Sequence, residues 1–411
     1  MNAFRVRTAV SPLRRRFSAT VTTLPSVDEL ITVERPEEPM HCLRPATVEA
    51  TARDFVRAFP GDVLYAVKCN PDPAMLRAVH AGGVTHFDCA SVPEVALVRQ
   101  MFRDAEIHFM HPVKSRSAIR EAWARHDVRD FVLDSAEELA KIRQEIAATG
   151  VPGKPGLIVR LALPKGSAVL DLSGKFGAAP ALAAELLRAA RPHAARLGLS
   201  FHVGSQCLDP LAWRDALALA GEVIRDAGVP VEVIDIGGGF AVPYPDVEPP
   251  PLGAYLAEIE AGFERLGLPQ ARLWAEPGRA LVAGGASIVV QVQHRRGDAL
   301  YINDGVYGAL ADAGTLGFRY PVRLIRPDRA ASPGLVGYSF FGPTCDSADV
   351  MRGPFHLPTD VAEGDWIEIG QLGAYGSCLR TAFNGFDRAR LVEVRDDPLL
   401  DASPAAVRLA A

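Results

Sequence analysis

Lys68 ends the run Val63-Leu64-Tyr65-Ala66-Val67-Lys68, whose apolar, β-branched and aromatic residues read as a buried strand. Burial disfavours an ammonium ion and lowers its pKa, and a partly neutral lysine is a nucleophile that condenses with carbonyl groups. Taken alone, the residue is equally a lysine whose stem packs while its head reaches water. Further chemistry-bearing side chains stand in comparable positions. Asp88, Arg160, His202 with Ser205, and Glu276 with Arg279 each fall at or just after a short β-rich run, and another such run leads into Gly237-Gly238-Gly239.

A cofactor with an aldehyde, a pyridine nitrogen and a phosphate would use all of these groups. Pyridoxal phosphate has those three features. Lys68 suits the aldehyde, and the glycine turn suits a phosphate at the start of a helix. Glu276 beside the pyridine nitrogen would keep it protonated and make the ring an electron sink. His202 could stack on the ring, Asp88 could pair with Lys68 or a ring substituent, and Arg160 could reach the ring hydroxyl. Each has a plainer reading: a tight turn, a loop acid, a packed histidine. The triple glycine is not a dinucleotide fingerprint, because G-x-G-x-x-G would need glycine at Val242. His108 and His111 are three apart on a strand and so do not share a side, and no metal is expected.

The runs that must position these residues are 62–68, 84–88, 106–110, 129–133, 157–161, 199–203, 231–236 and 272–276. Helical segments such as 181–197 and 211–227 lie between them. Eight strand–helix units predict a (β/α)8 barrel of the TIM type, with its site at the C-terminal strand ends. An open doubly wound sheet would show the same alternation, but the titratable or glycine-rich ends recur too often for chance. After about residue 280 the rhythm changes to strand-like runs at 286–294, 299–303, 334–340, 365–369 and 389–393, a β-rich second domain. Residues 21–33 are candidates to join it as a strand. The expected division is a flexible tail over 1–25, a barrel over 26–280 and a β domain over 281–411.

Composition limits the function classes. A hydrophobic content of 48% with 23% charged residues fits a soluble globular protein, and a net charge of −5 gives no reason to expect nucleic acid as a partner. No apolar run approaches the ~20 residues of a membrane span. The six cysteines form no C-x-x-C pair, so a reducing cytoplasm is the expected setting. Residues 1–27 hold five arginines and no acid, but only six of the 44 basic residues in the whole chain are lysines. The arginine bias is therefore global and not an import signal.

Nine motifs occur in order: YAVKCN at 65–70, FDCAS at 87–91, FHVGS at 201–205, DIGGGF at 235–240, AEPGR at 275–279, NDGVYG at 303–308, FGPTCD at 341–346, GAY at 373–375 and FNGF at 383–386. Together they resemble the fold-type III pyridoxal phosphate decarboxylases of basic amino acids. This is the group of ornithine, lysine and diaminopimelate decarboxylases, with the ornithine branch nearest. The resemblance implies Lys68 as the Schiff-base lysine, His202 stacked on the ring and Glu276 at the pyridine nitrogen. It implies Ser205, Gly238, Gly239, Gly278, Arg279 and Tyr375 around the cofactor, with most of them at its phosphate. Cys345 would protonate the substrate carbon, Asp346 would bind a distal ammonium, and Tyr307 and Phe383 would lie near the substrate. It further implies a homodimer in which Cys345 and Asp346 serve the partner's site, acting on ornithine or else on lysine, diaminopimelate or another diamino acid. Glu276 argues against a racemase, whose ring nitrogen typically meets an arginine. A second acid is expected nine residues after Tyr307, where this chain has Leu316. Either Asp312 takes over that contact, or one partner of the distal ammonium is gone.

Overall fold

The computed structural model describes residues 24–166, 168 and 174–400, so most of the arginine-rich tail expected over 1–25 lies outside the described residues. The first strand, β1 (Met40–Leu43), belongs to the second domain. Eight parallel strands then close a barrel: β2 (Asp62–Ala66), β3 (His86–Cys89), β4 (Glu106–Phe109), β5 (Asp130–Leu133), β6 (Gly156–Arg160), β7 (Arg196–Ser200), β8 (Val233–Asp235) and β9 (Arg272–Ala275). β9 returns to β2 through the pairs Asp62–Trp274 and Val63–Ala275, which closes the ring.

Alternation along the strands decides what faces the barrel axis. Leu64, Met110, Val132, Ile158, Val233 and Trp274 form a small apolar cluster of their own, apart from the main core. Two residues further along their strands come Ala66, Arg160, Asp235 and Glu276. The apolar cluster thus forms a floor, and a polar layer sits above it at the C-terminal strand ends. At the opposite mouth, His86 Nδ1 meets His108 Nε2 at 3.0 Å with the rings 11° from parallel. This head-on contact is a hydrogen bond, and Asp130 Oδ2 lies 3.0 Å from the other His108 ring nitrogen.

The second domain continues with β10 (Ala286–Arg296), β11 (Ala299–Ile302), β12 (Val322–Ile325), β13 (Leu335–Phe341), β14 (Val350–Pro358), β15 (Trp366–Ile369) and β16 (Arg390–Glu393). The sheet order is β12-β15-β10-β11-β13-β14, with β1 antiparallel to β10 and parallel to β16. β14 escaped the sequence reading because Gly353-Pro354 signals a turn. As an edge strand it tolerates the proline, which has no N–H to donate.

Several expectations need correction. Residues 21–33 contribute no strand among the described positions. Val27–Glu34 is a helix, started by a capping box between Ser26 and Glu29 and ended by Arg35 in the left-handed region. The strand that joins the sheet from the N-terminal side is β1. The helix expected over 181–197 spans Pro180–Ala190, because Pro192 breaks it into a short 3-10 turn before β7. β7 therefore starts and ends earlier than expected, and His202 stands beyond its end.

Candidate active site

The polar layer opens into a cavity of about 490 Å³. Its lining includes Lys68, Asp88, Arg160, His202, Ser205, Gly238, Gly239, Glu276, Gly278, Arg279 and Tyr375, brought together from β2, β3, β6, the segments after β7, β8 and β9, and the second domain. Sequence reasoning overlooked Lys175 and Phe176, which also line it. They lie in the long segment between β6 and the helix Pro180–Ala190, whose length was the available signal.

Lys68 sits two residues past the end of β2, in the 3-10 turn Val67–Cys69, and its Nζ lies 2.5 Å from Asp88 Oδ2. Burial works against the ammonium, but Asp88, Tyr375 and Glu276 outweigh it and raise the pKa above the ordinary lysine value. The expected lowered pKa is therefore wrong for this chain: a carboxylate in contact wins over desolvation. Glu276 shows the opposite balance. Burial, then Asp235 and Asp88, push its carboxyl well above the usual carboxylate range. Asp235, buried at the end of β8, is raised by its own burial. Burial, then Arg160 and Lys68, lower the pKa of His202 to about 3, which makes it a neutral ring. Its Nδ1 accepts a hydrogen bond from Gly204 N–H at 3.0 Å.

The glycine turn is not the start of a helix. Gly237 and Gly239 have φ of +65° and +103°, which a helix cannot use, and the next helix is Leu252–Arg265. Close packing demands the glycines instead. A Cβ on Gly238 would stand 2.5 Å from Glu276 O, and one on Gly239 would stand 2.3 Å from Gly204 O. Arg279 crosses behind this turn. Nη1 donates to Tyr244 Oη at 2.8 Å and Nη2 to Asp312 Oδ2 at 2.9 Å, while Nε is buried with no hydrogen-bond partner. Tyr375 reaches the cavity because its N–H donates to Cys69 O at 3.0 Å, docking the second domain on the end of β2.

The donor set fits pyridoxal phosphate. It offers an amine, a buried acid, a neutral ring, a tight glycine turn and an unsatisfied guanidinium N–H. Comparison with known proteins agrees. The family model for the pyridoxal-binding domain of pyridoxal-dependent decarboxylases matches residues 45–283, and the model for their C-terminal sheet domain matches 282–373.

The chain belongs to the pyridoxal-dependent decarboxylases. It is a pyridoxal phosphate enzyme of the group that decarboxylates basic amino acids. It is 33% identical over 347 residues to the lysine/ornithine decarboxylase of Selenomonas ruminantium, covering 82% of this chain and 84% of that protein. It is 32% identical over 396 residues to the ornithine decarboxylase of Panagrellus redivivus, covering 90% and 88%. The structure of the lysine/ornithine decarboxylase of Vibrio vulnificus with putrescine superposes with a TM-score of 0.76 at 30% identity, over 90% of this chain and 99% of that one.

The residues expected on the substrate side form a separate group. The Tyr307 hydroxyl donates to Asp346 Oδ2, the Tyr307 ring lies 4.8 Å from the Phe383 ring, and Cys345 N and Sγ both approach Asn384 Oδ1, at 3.2 and 3.3 Å. None of Tyr307, Cys345, Asp346 and Phe383 lines the cavity, and Cys345 and Phe383 are exposed. Asp312 does not join them. It is buried against Arg279, so it is not placed as the second acid for a distal ammonium. Among the described residues no helix is long and apolar enough to cross a membrane.

Proposed function

We propose that this decarboxylase converts L-ornithine to putrescine and CO₂ as a homodimer with two shared sites. The observation that carries the shared-site reading is the division of labour within one chain. The cavity holds the cofactor-side groups, while Cys345 and Phe383 stand exposed and Asp346 and Tyr307 half-buried outside it. A second copy related by a two-fold axis brings each exposed group to the other's cavity.

Pyridoxal phosphate supplies the aldehyde for the substrate's amino group and the ring that takes up the electrons released with CO₂. Lys68 is the amine in reach of that aldehyde, and Asp88 holds it in place. Glu276 would meet the ring nitrogen, and the neutral His202 would offer a flat face to the ring. Ser205, the glycine turn, Arg279 and Tyr375 hold the phosphate. The Tyr307 hydroxyl and the Ala348 N–H keep the Asp346 carboxyl below its ordinary range, so it is an anion at neutral pH and suited to an ammonium. Cys345 is the proton donor to Cα. The six free cysteines support a reducing, cytoplasmic setting.

Lysine is the second reading, favoured by the loss of the second acid. With Leu316 at that offset and Asp312 committed to Arg279, one carboxylate meets the distal ammonium, and chain length is less tightly gauged. The test is a substrate profile over ornithine, lysine, arginine and diaminopimelate, reading CO₂ and the amine. Failure to form putrescine overturns the ornithine reading, and diamine from lysine alone establishes the second. For the dimer, inactive Lys68→Ala and Asp346→Ala chains are mixed. Random exchange should restore about a quarter of the sites, and no recovery refutes sharing.

A further inference from the structure

Asp349 lies three residues past Asp346 and is 2% exposed, yet among the described residues it makes no ion pair. Its carboxylate is instead filled by donors from two different loops. Oδ1 accepts Val306 N–H at 2.7 Å. Oδ2 accepts Thr344 N–H at 3.1 Å and the Thr344 hydroxyl at 2.7 Å. Val306 adjoins Tyr307, and Thr344 adjoins Cys345. The carboxylate therefore clamps the loop that carries Tyr307 to the loop that carries Cys345 and Asp346.

The surrounding backbone is cut to fit it. A Cβ on Gly305 or on Gly342 would stand 2.1 Å from Asp349 Oδ1, so each loop keeps a glycine where the carboxylate sits. The Asp349 main chain closes the same knot: its N–H donates to Asp346 O at 3.1 Å and its carbonyl accepts Gly342 N–H at 2.9 Å. Buried backbone N–H groups need acceptors, and here a single side chain supplies them for both loops.

We infer that Asp349 is the positioning residue that sets the Tyr307–Asp346 pair and the Cys345 thiol in register with each other. The inference rests on the reading that Cys345 and Asp346 meet the substrate. An asparagine at 349 has the same shape but only one acceptor oxygen. If that oxygen serves Val306 N–H, the amide NH₂ faces Thr344 N–H, and two donors cannot pair. The loops then lose their common anchor, while the cofactor cavity, which Asp349 does not line, is untouched.

The test compares full-length, cofactor-loaded Asp349→Asn, Asp349→Glu and Thr344→Val with the parent. The readings are KM, kcat, cofactor absorbance and amine formed per CO₂ released. Asp349→Asn should raise KM about tenfold, the effect of one lost charge-assisted hydrogen bond, and should lower amine per CO₂, with cofactor absorbance unchanged. Thr344→Val keeps the fold, loosens only the Cys345 side, and should lower amine per CO₂ while KM stays within about twofold. It decides the matter if Asp349→Asn does not fold. Asp349→Glu keeps both acceptor oxygens and should recover part of the KM. Parental KM and amine yield in both Asp349→Asn and Thr344→Val, with only a lower melting temperature, would show a merely structural clamp. Asp346→Ala and Cys345→Ala are run alongside. If these leave KM and amine yield unchanged, the substrate-side reading itself has failed, independently of Asp349.

Discussion

Replacing Arg279 by methionine separates stability from cofactor binding. Arg279 is 5% exposed and its Nη2 holds Asp312 Oδ2 at 2.9 Å, so the substitution leaves a buried carboxylate without its cation. Breaking one side of such a pair costs about 3–5 kcal/mol. The same substitution removes the unsatisfied Nε–H, the donor we propose for the phosphate. Loss of a hydrogen bond to a charged group, about 1.5–3 kcal/mol, weakens pyridoxal phosphate binding about ten- to a hundredfold. Adding Asp312→Asn removes the stranded charge and should restore most of the stability, but none of the affinity. Urea unfolding of the cofactor-free chains gives the first quantity, and titration with pyridoxal phosphate gives the second. If the double variant regains cofactor affinity, Arg279 serves only to neutralise Asp312. If Arg279→Met unfolds at the parental urea concentration, the buried-charge argument is wrong.

Three other outcomes follow from the geometry. Glu276→Gln keeps the shape and removes a charge that burial disfavours, so it should not lower the stability of the cofactor-free chain by more than about 1 kcal/mol while kcat/KM falls roughly 100-fold, the scale of a lost proton-holding group; activity within tenfold of the parent would remove Glu276 from its role. His41 is held neutral, its pKa lowered to about 3 by burial and then by Arg380, whose Nη2 it meets at 3.0 Å. Because the folded value lies below the unfolded 6.5, this contribution is complete above pH 6.5 and is lost as pH falls, by about 2 kcal/mol at pH 5; His41→Gln should flatten that part of the urea-midpoint profile, and an unchanged profile refutes the assignment. Gly239→Ala places a methyl group 2.3 Å from Gly204 O at a φ of +103°, and should destabilise the chain by at least about 2 kcal/mol and weaken cofactor binding, as unfolding and cofactor titration would show.

The sequence alone determined the barrel, the second domain and much of the cavity lining. Each of those signals is local: an apolar run ends, and a charged or glycine residue follows it. Lys68, Asp88, Arg160 and Glu276 were legible because a parallel strand in a closed barrel delivers whatever ends it to one rim. Charge state was not legible in that way. The pKa of Lys68 is raised against its burial by a 2.5 Å contact with a residue on the next strand, and that of Glu276 is raised by burial and then by Asp235 from another strand. Asp312 was misread for the same reason, since its proximity in sequence to Tyr307 says nothing about Arg279. Asp349 offered no motif at all. Its role appears only where the fold brings Val306 and Thr344 to one buried carboxylate, because the hydrogen bonds that order two loops are fixed by their distance in space and not by their spacing along the chain.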